Sequence, residues 1–185
     1  MIPVGYMLKT VVRSPSWIGV ESVVDIYSVS ACVAHNFTDY IHFWKHNGYW
    51  LFDSPQIIRE LAEAENIDVS EMTMFYYEAY ETEYDDTSKQ WLAFSPDHSF
   101  ATLIVESENK RLEGYDVCTF SFRNSPECSP LSCNSLATEM PVNEHCLFKT
   151  FEDAKSALEN GKFINSEPGP FRIIAVYKVD LRPSA

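Results

Sequence analysis

Residues 45–65 read KHNGYWLFDSPQIIRELAEAE, and residues 141–161 read PVNEHCLFKTFEDAKSALENG. Both run through a Leu-Phe pair into a capped helix. In the first, Asn47-Gly48 is a turn signal, and Tyr49 to Phe52 predicts a short strand. Ser54 then caps a helix whose first residue is Pro55, where a missing N–H costs nothing. Ile57, Ile58, Leu61 and Ala62 recur at helical spacing and supply its buried stripe. In the second, His145 to Phe148 predicts the strand and Thr150 the cap. At a constant offset of 96 residues Asn47 aligns with Asn143, Leu51 with Leu147, Phe52 with Phe148 and Glu63 with Glu159. The same offset aligns Cys32 with Cys128, Phe75 with Phe171 and Ala79 with Ala175. Together these predict an internal duplication, with halves at 22–84 and 113–180 joined by a hairpin at 90–107. Each half would run strand, short helix, strand, helix, strand.

Outward from these stretches, Val23 to Val33 is rich in β-branched and aromatic residues and predicts a buried strand. Phe37, Tyr40, Ile41 and Trp44 fall at helical spacing. Met1 to Ser16, interrupted by Pro3 and Pro15, predicts an irregular or edge segment. Met72 to Tyr84 is the longest strand candidate, and Trp91 to Phe94, Phe100 to Glu106 and Tyr115 to Phe122 extend it into an antiparallel meander. Ser135 to Met140 predicts a short helix and Phe171 to Asp180 a last strand. The expected fold is α+β: one domain over 1–185, with a mixed or mostly antiparallel sheet and its helices on one face.

Composition narrows function by exclusion. The chain has 185 residues, 45% of them hydrophobic, with no apolar run near the roughly 20 residues a spanning helix requires. Five cysteines in a chain of this size favour reduced thiols and a cytoplasmic setting. Lys and Arg total 14 against 27 Asp and Glu, a formal charge of −13 that repels nucleic-acid backbones and anionic membranes and favours a basic protein partner. The six glycines form neither a P-loop nor a dinucleotide fingerprint, so no nucleotide cofactor is expected.

Three constellations carry chemistry. Cys128 and Cys133, followed by His145 and Cys146, offer zinc ligands, but residues adjacent on a strand point to opposite faces, so His145 and Cys146 would not reach one metal. At the 96-residue offset Cys133 aligns with Phe37, His145 with Tyr49 and Cys146 with Trp50, which points to packing positions. Cys133 with His145 is also the pair a thiol-dependent enzyme would use. Asp39, His42 and His46 fall on one face if their segment is helical, without the glutamate of the zincin pattern.

Charge distribution gives the leading expectation. From Glu60 to Ser88 there is neither Lys nor Arg, while ten acids occur. Strand alternation across this run predicts a partner-binding surface of Tyr76, Glu78, Tyr80, Glu81, Glu83, Asp85 and Asp86, with tyrosines for contact and acids for steering. Small size, acidity and the lack of a catalytic signature are those of an immunity- or inhibitor-type protein, a comparison of class only.

Overall fold

The computed structural model describes residues 1–41, 46–94, 103–120, 126–133 and 135–180. Among them are eight strands, all paired antiparallel, and three α-helices. The main sheet is built from β1 (Ile2–Lys9), β4 (Thr73–Ala79), β5 (Thr82–Asp85), β6 (Gln90–Ala93), β7 (Lys110–Thr119) and β8 (Phe171–Val179). β8 is central: β7 lies along one edge of it, and β4 and β5 both pair with its other edge. β1 then flanks β4, and β6 flanks β5. A separate two-stranded ribbon joins β2 (Val12–Arg13) to β3 (Asp25–Ile26). The fold is α+β in a single domain, as expected.

Of the two expectations for the N-terminal segment, irregular or edge, the structure shows the edge strand. β1 is a regular strand of the main sheet, and Tyr6, Met7, Leu8 and Lys9 are all buried. Pro3 is accommodated because β1 is an edge strand with a register shift between Pro3 and Gly5. The long Met72–Tyr84 strand is resolved differently, into β4 and β5 with a break at Tyr80–Glu81. The meander stops at β6, since β7 pairs with β8 instead. Of the segment expected at 100–106, residues 100–102 lie outside the described residues, and Leu103 and Val105 donate their N–H groups to Asp53 rather than entering a strand. Of Val23 to Val33 only Asp25–Ile26 is strand; the rest is a loop laid over the sheet, its polar backbone satisfied by buried side chains described below.

Neither Leu-Phe segment is a strand. Each is a tight corner organised by its asparagine. Asn47 Oδ1 accepts from the N–H groups of Tyr49 and Leu51 at 2.9 and 3.1 Å, and Asn143 Oδ1 accepts from His145 and Leu147 at the same two distances. Trp50 and Cys146 take positive φ, 56° and 60°. Phe52 bridges Tyr6, and Phe148 bridges Tyr115. Each corner also meets a glycine: a Cβ on Gly5 would lie 2.6 Å from the Phe52 carbonyl oxygen, and one on Gly114 would lie 2.7 Å from that of Phe148. Both glycines mark register shifts, and they pair with Tyr77 and Val176, which pair with each other between β4 and β8.

The alignment therefore drifts. Its offset is 96 at the asparagines and 109 at the glycines, while Tyr77 stands opposite Val176 at 99. The expected duplication with halves at 22–84 and 113–180 is not confirmed: Phe75 with Phe171 and Ala79 with Ala175 are out of register, and the strand that pairs with β4 as β7 pairs with β8 is β1, which lies outside 22–84.

The caps form as expected. Ser54 accepts from the Ile57 N–H to open α1 (Pro55–Ala64), and Thr150 accepts from Asp153 to open α3 (Phe151–Glu159). α1 buries Ile58 and Ala62 and contacts β1; α3 buries Ala154 and Leu158 and contacts β7 and β8. Burial of Ile58 and Leu158, both about 1% exposed, is worth roughly 1.5–3 kcal/mol apiece. No helix among the described residues is long and apolar enough to cross a membrane.

Candidate functional site

The interior holds two opposite charges that sequence reasoning missed. Lys9 at the end of β1 and Asp116 in β7 are both fully buried. Lys9 Nζ donates to the carbonyls of Ser28, Val29 and Ser30 at 2.6, 3.0 and 2.6 Å. Asp116 accepts from the Ser28 hydroxyl and the Val29 N–H, both at 3.0 Å, and from the Ser129 hydroxyl at 2.6 Å. A buried charge persists only where hydrogen bonds replace its lost hydration, and each of these has three. Desolvation pushes Lys9 down to about 7 and Asp116 upward, and the attraction between the two opposes both shifts.

These bonds fix two loops, 28–32 and 126–133, against one another, and the loops carry cysteines. Ser30 donates its hydroxyl to the Glu127 carbonyl at 2.8 Å and accepts from the Cys32 N–H at 3.1 Å. Cys128 is held by Thr119, whose N–H donates to its carbonyl and whose hydroxyl accepts from its N–H. Cys133 closes the single turn of α2 (Pro130–Cys133) by donating its N–H to Ser129. The sulfurs of Cys32, Cys128 and Cys133 all lie within 4.8 Å of one another. Burial and the neighbouring thiols raise Cys128 far above the usual thiol range, and burial raises Cys133.

This triad differs from the set expected from sequence. His145 lies with acids instead: its Nδ1 is 2.5 Å from Asp25 and its Nε2 3.4 Å from Glu113, and the ring stacks on Tyr27 at 4.0 Å. Cys146 points elsewhere, toward the Leu131 carbonyl. The expectation that these neighbours face apart holds, through a turn rather than strand alternation. His145 forms its ion pairs with Asp25, Glu113 and Glu144, whereas the Cys133 sulfur lies with those of Cys32 and Cys128. Of the histidine set, His42 lies outside the described residues; Asp39 caps a 3-10 turn by accepting from the Asn36 N–H, and His46 stacks on Trp50. The missed partner, Cys32, does carry a sequence signal, since it aligns with Cys128.

The acidic strand is dispersed. Tyr76 is 0% and Glu83 8% exposed, so neither belongs to a surface offered to a partner. Glu78 is engaged by Lys110 at 2.5 Å and Tyr177 at 3.0 Å. Tyr80 is half-buried against Trp91 and Phe151, and Asp85 caps the β5–β6 turn through Thr87 and Ser88. Asp86 packs against Gly169, leaving Glu81 as the exposed member. The cause is topological: β4 lies between β1 and β8 and is covered on both faces, so alternation does not leave a wet side.

The exposed acids of the run lie elsewhere. Glu60, Glu63, Glu65, Asp68 and Glu71 are all exposed, on α1 and the loop that follows it. Two of them, Glu63 and Asp68, line an open groove of about 490 Å³ together with Arg59, Ala62, Ile67 and Val69. The Ser70 N–H donates to Asp68 and holds it below the usual carboxylate range.

No family model, no curated protein and no solved structure matches this chain.

Proposed function

We propose that the protein is a non-enzymatic acidic binding module that engages a basic protein partner, in the manner of an immunity or inhibitor protein. The observation that carries this reading is the surface of α1 and its following loop, where five acids are exposed and two of them, Glu63 and Asp68, line a groove together with Arg59 and the apolar residues Ala62, Ile67 and Val69. Clustered carboxylates raise the encounter rate with a cationic protein, and apolar lining residues supply contact once the two have met. Glu63 and Asp68, the latter kept ionised by Ser70, both line that groove. The same reading takes the two asparagine corners as copies of one unit whose charge has diverged: α3 of the second also carries Glu152, Asp153 and Glu159, but with Lys149, Lys155 and Lys162 interspersed around them. A reducing cytoplasmic setting belongs to the proposal as well.

The test compares wild type with a variant carrying Glu60→Gln, Glu63→Gln, Asp68→Asn and Glu71→Gln. These residues are exposed, so the fold should be retained. Proteins captured on immobilised wild type would be identified and their association rates measured against both forms at low and high salt. Association with the variant should be about tenfold slower or more at low salt, with the difference shrinking as ionic strength rises. Equal rates for the two forms would overturn the reading.

A further inference from the structure

The cysteine triad does not belong to the acidic surface, and core packing does not account for it. A cysteine used as a small hydrophobe is buried on its own among apolar neighbours. Here Cys32 is exposed, Cys128 and Cys133 are half-buried, and their sulfurs converge on one point from two loops far apart in sequence. Both loops are fixed from beneath. Lys9 and Asp116 hold residues 28–30, Asp116 also holds Ser129, and the Ser30 hydroxyl ties the first loop to Glu127 of the second. That is the arrangement a metal centre requires, with ligands oriented by outer hydrogen bonds before the ion arrives.

We propose that Cys32, Cys128 and Cys133 together bind one zinc ion, with water at the fourth position on the exposed side of Cys32. Three sulfurs are soft ligands suited to a d10 ion, and hard cations such as magnesium or calcium would not compete for them. A zinc–sulfur distance of about 2.3 Å in tetrahedral geometry places the sulfurs about 3.8 Å apart. The present separations, within 4.8 Å, close to that value by side-chain rotation. On binding, the S–H protons pass to solvent and three Zn–S bonds form, so no oxidant or reductant is needed.

The test uses the full chain, reduced and chelator-treated under anaerobic conditions. Zinc titration should saturate at one equivalent by elemental analysis. Cobalt(II) in its place should give thiolate-to-cobalt charge-transfer absorption that zinc abolishes. One equivalent of zinc should also protect Cys32, Cys128 and Cys133 from alkylation, read by mass spectrometry, and this readout needs no variant. Cys32→Ser, in which the exposed ligand is replaced, should abolish the charge-transfer band, and Cys146→Ala should leave the stoichiometry at one. Ser30→Ala, which removes the ties to Glu127 and to the Cys32 N–H while keeping all three thiols, should weaken binding by about 10–100-fold. The proposal is overturned if cobalt gives no charge-transfer band, if zinc leaves the three thiols as reactive as before, or if Cys32→Ser binds as wild type does. Oxidation of two of the three to a disulfide in preference to zinc capture by the reduced chain would overturn it too.

Discussion

Lys9 and Asp116 grip the same short peptide from two separate strands: the ammonium of Lys9 takes the carbonyls of Ser28, Val29 and Ser30, and the carboxylate of Asp116 takes the Ser28 hydroxyl and the Val29 N–H. Two ions on strands that do not pair with each other, β1 and β7, thus anchor one covering loop. Removal of Lys9 strands the buried carbonyls of Ser28, Val29 and Ser30 and takes the opposing charge away from Asp116, so Lys9→Met should cost about 3–5 kcal/mol in urea unfolding. The double variant Lys9→Met with Asp116→Asn should cost less than the sum of the two single changes, because the residues share partners.

The same lysine sets a pH dependence. Its folded value, about 7, lies below the ordinary 10.5. Between those limits the unfolded chain holds a proton that the folded chain has released, so stability rises with pH across that window. A methionine side chain at this position cannot titrate. The stability gap between wild type and Lys9→Met should therefore widen as pH rises above the folded value, measured by urea midpoints at fixed ionic strength; a gap that narrows would contradict it.

Gly5 and Gly114 carry a second prediction. Their φ values are +126° and +150°, and an added Cβ would meet a backbone oxygen at 2.6 or 2.7 Å. Strained φ and a clash with unyielding backbone act together, so Gly5→Ala and Gly114→Ala should each cost more than about 3 kcal/mol. Gly161 is the control. Its φ is +67°, but nothing lies within 4 Å of the added Cβ, so Gly161→Ala should cost about 1–2 kcal/mol. Thermal unfolding of the three variants separates the two mechanisms.

Where sequence reading succeeds and fails follows from what each signal depends on. Ser54, Pro55 and Thr150 are legible because capping is local: the side chain bonds an N–H three residues ahead. The asparagine corners are visible as a repeat but read as strands, since an Asn side chain that mimics a backbone turn leaves the apolar pattern of Leu51-Phe52 unchanged. The N-terminal segment is legible only as irregular or edge, because Pro3 breaks a strand where its N–H is needed, and an edge strand with a bulge, which β1 is, does not need it. The acidic face fails through burial: which residues of β4 see water depends on β1 and β8, far away in sequence. Lys9 and Asp116 could not be paired at all, since a buried lysine reads as an exposed one until its acceptors, here carbonyls of residues 28–30, are located.

Tyrosine ionisation tests the aromatic interior. Of ten tyrosines, eight are raised above the ordinary value of 10, with desolvation the first cause in every case: Tyr6, Tyr27, Tyr49, Tyr76, Tyr77, Tyr84, Tyr115 and Tyr177. Tyr6 and Tyr27 reach about 12. A raised folded value means that above pH 10 the unfolded chain has lost protons the folded chain still holds, so stability present below pH 10 falls as pH climbs toward 12. Tyrosinate absorbance from these eight should consequently rise above the ordinary phenol value, coincident with loss of the far-ultraviolet circular dichroism signal. Reversible titration of every phenol near that ordinary value with the fold intact would show that these rings are not shielded from water.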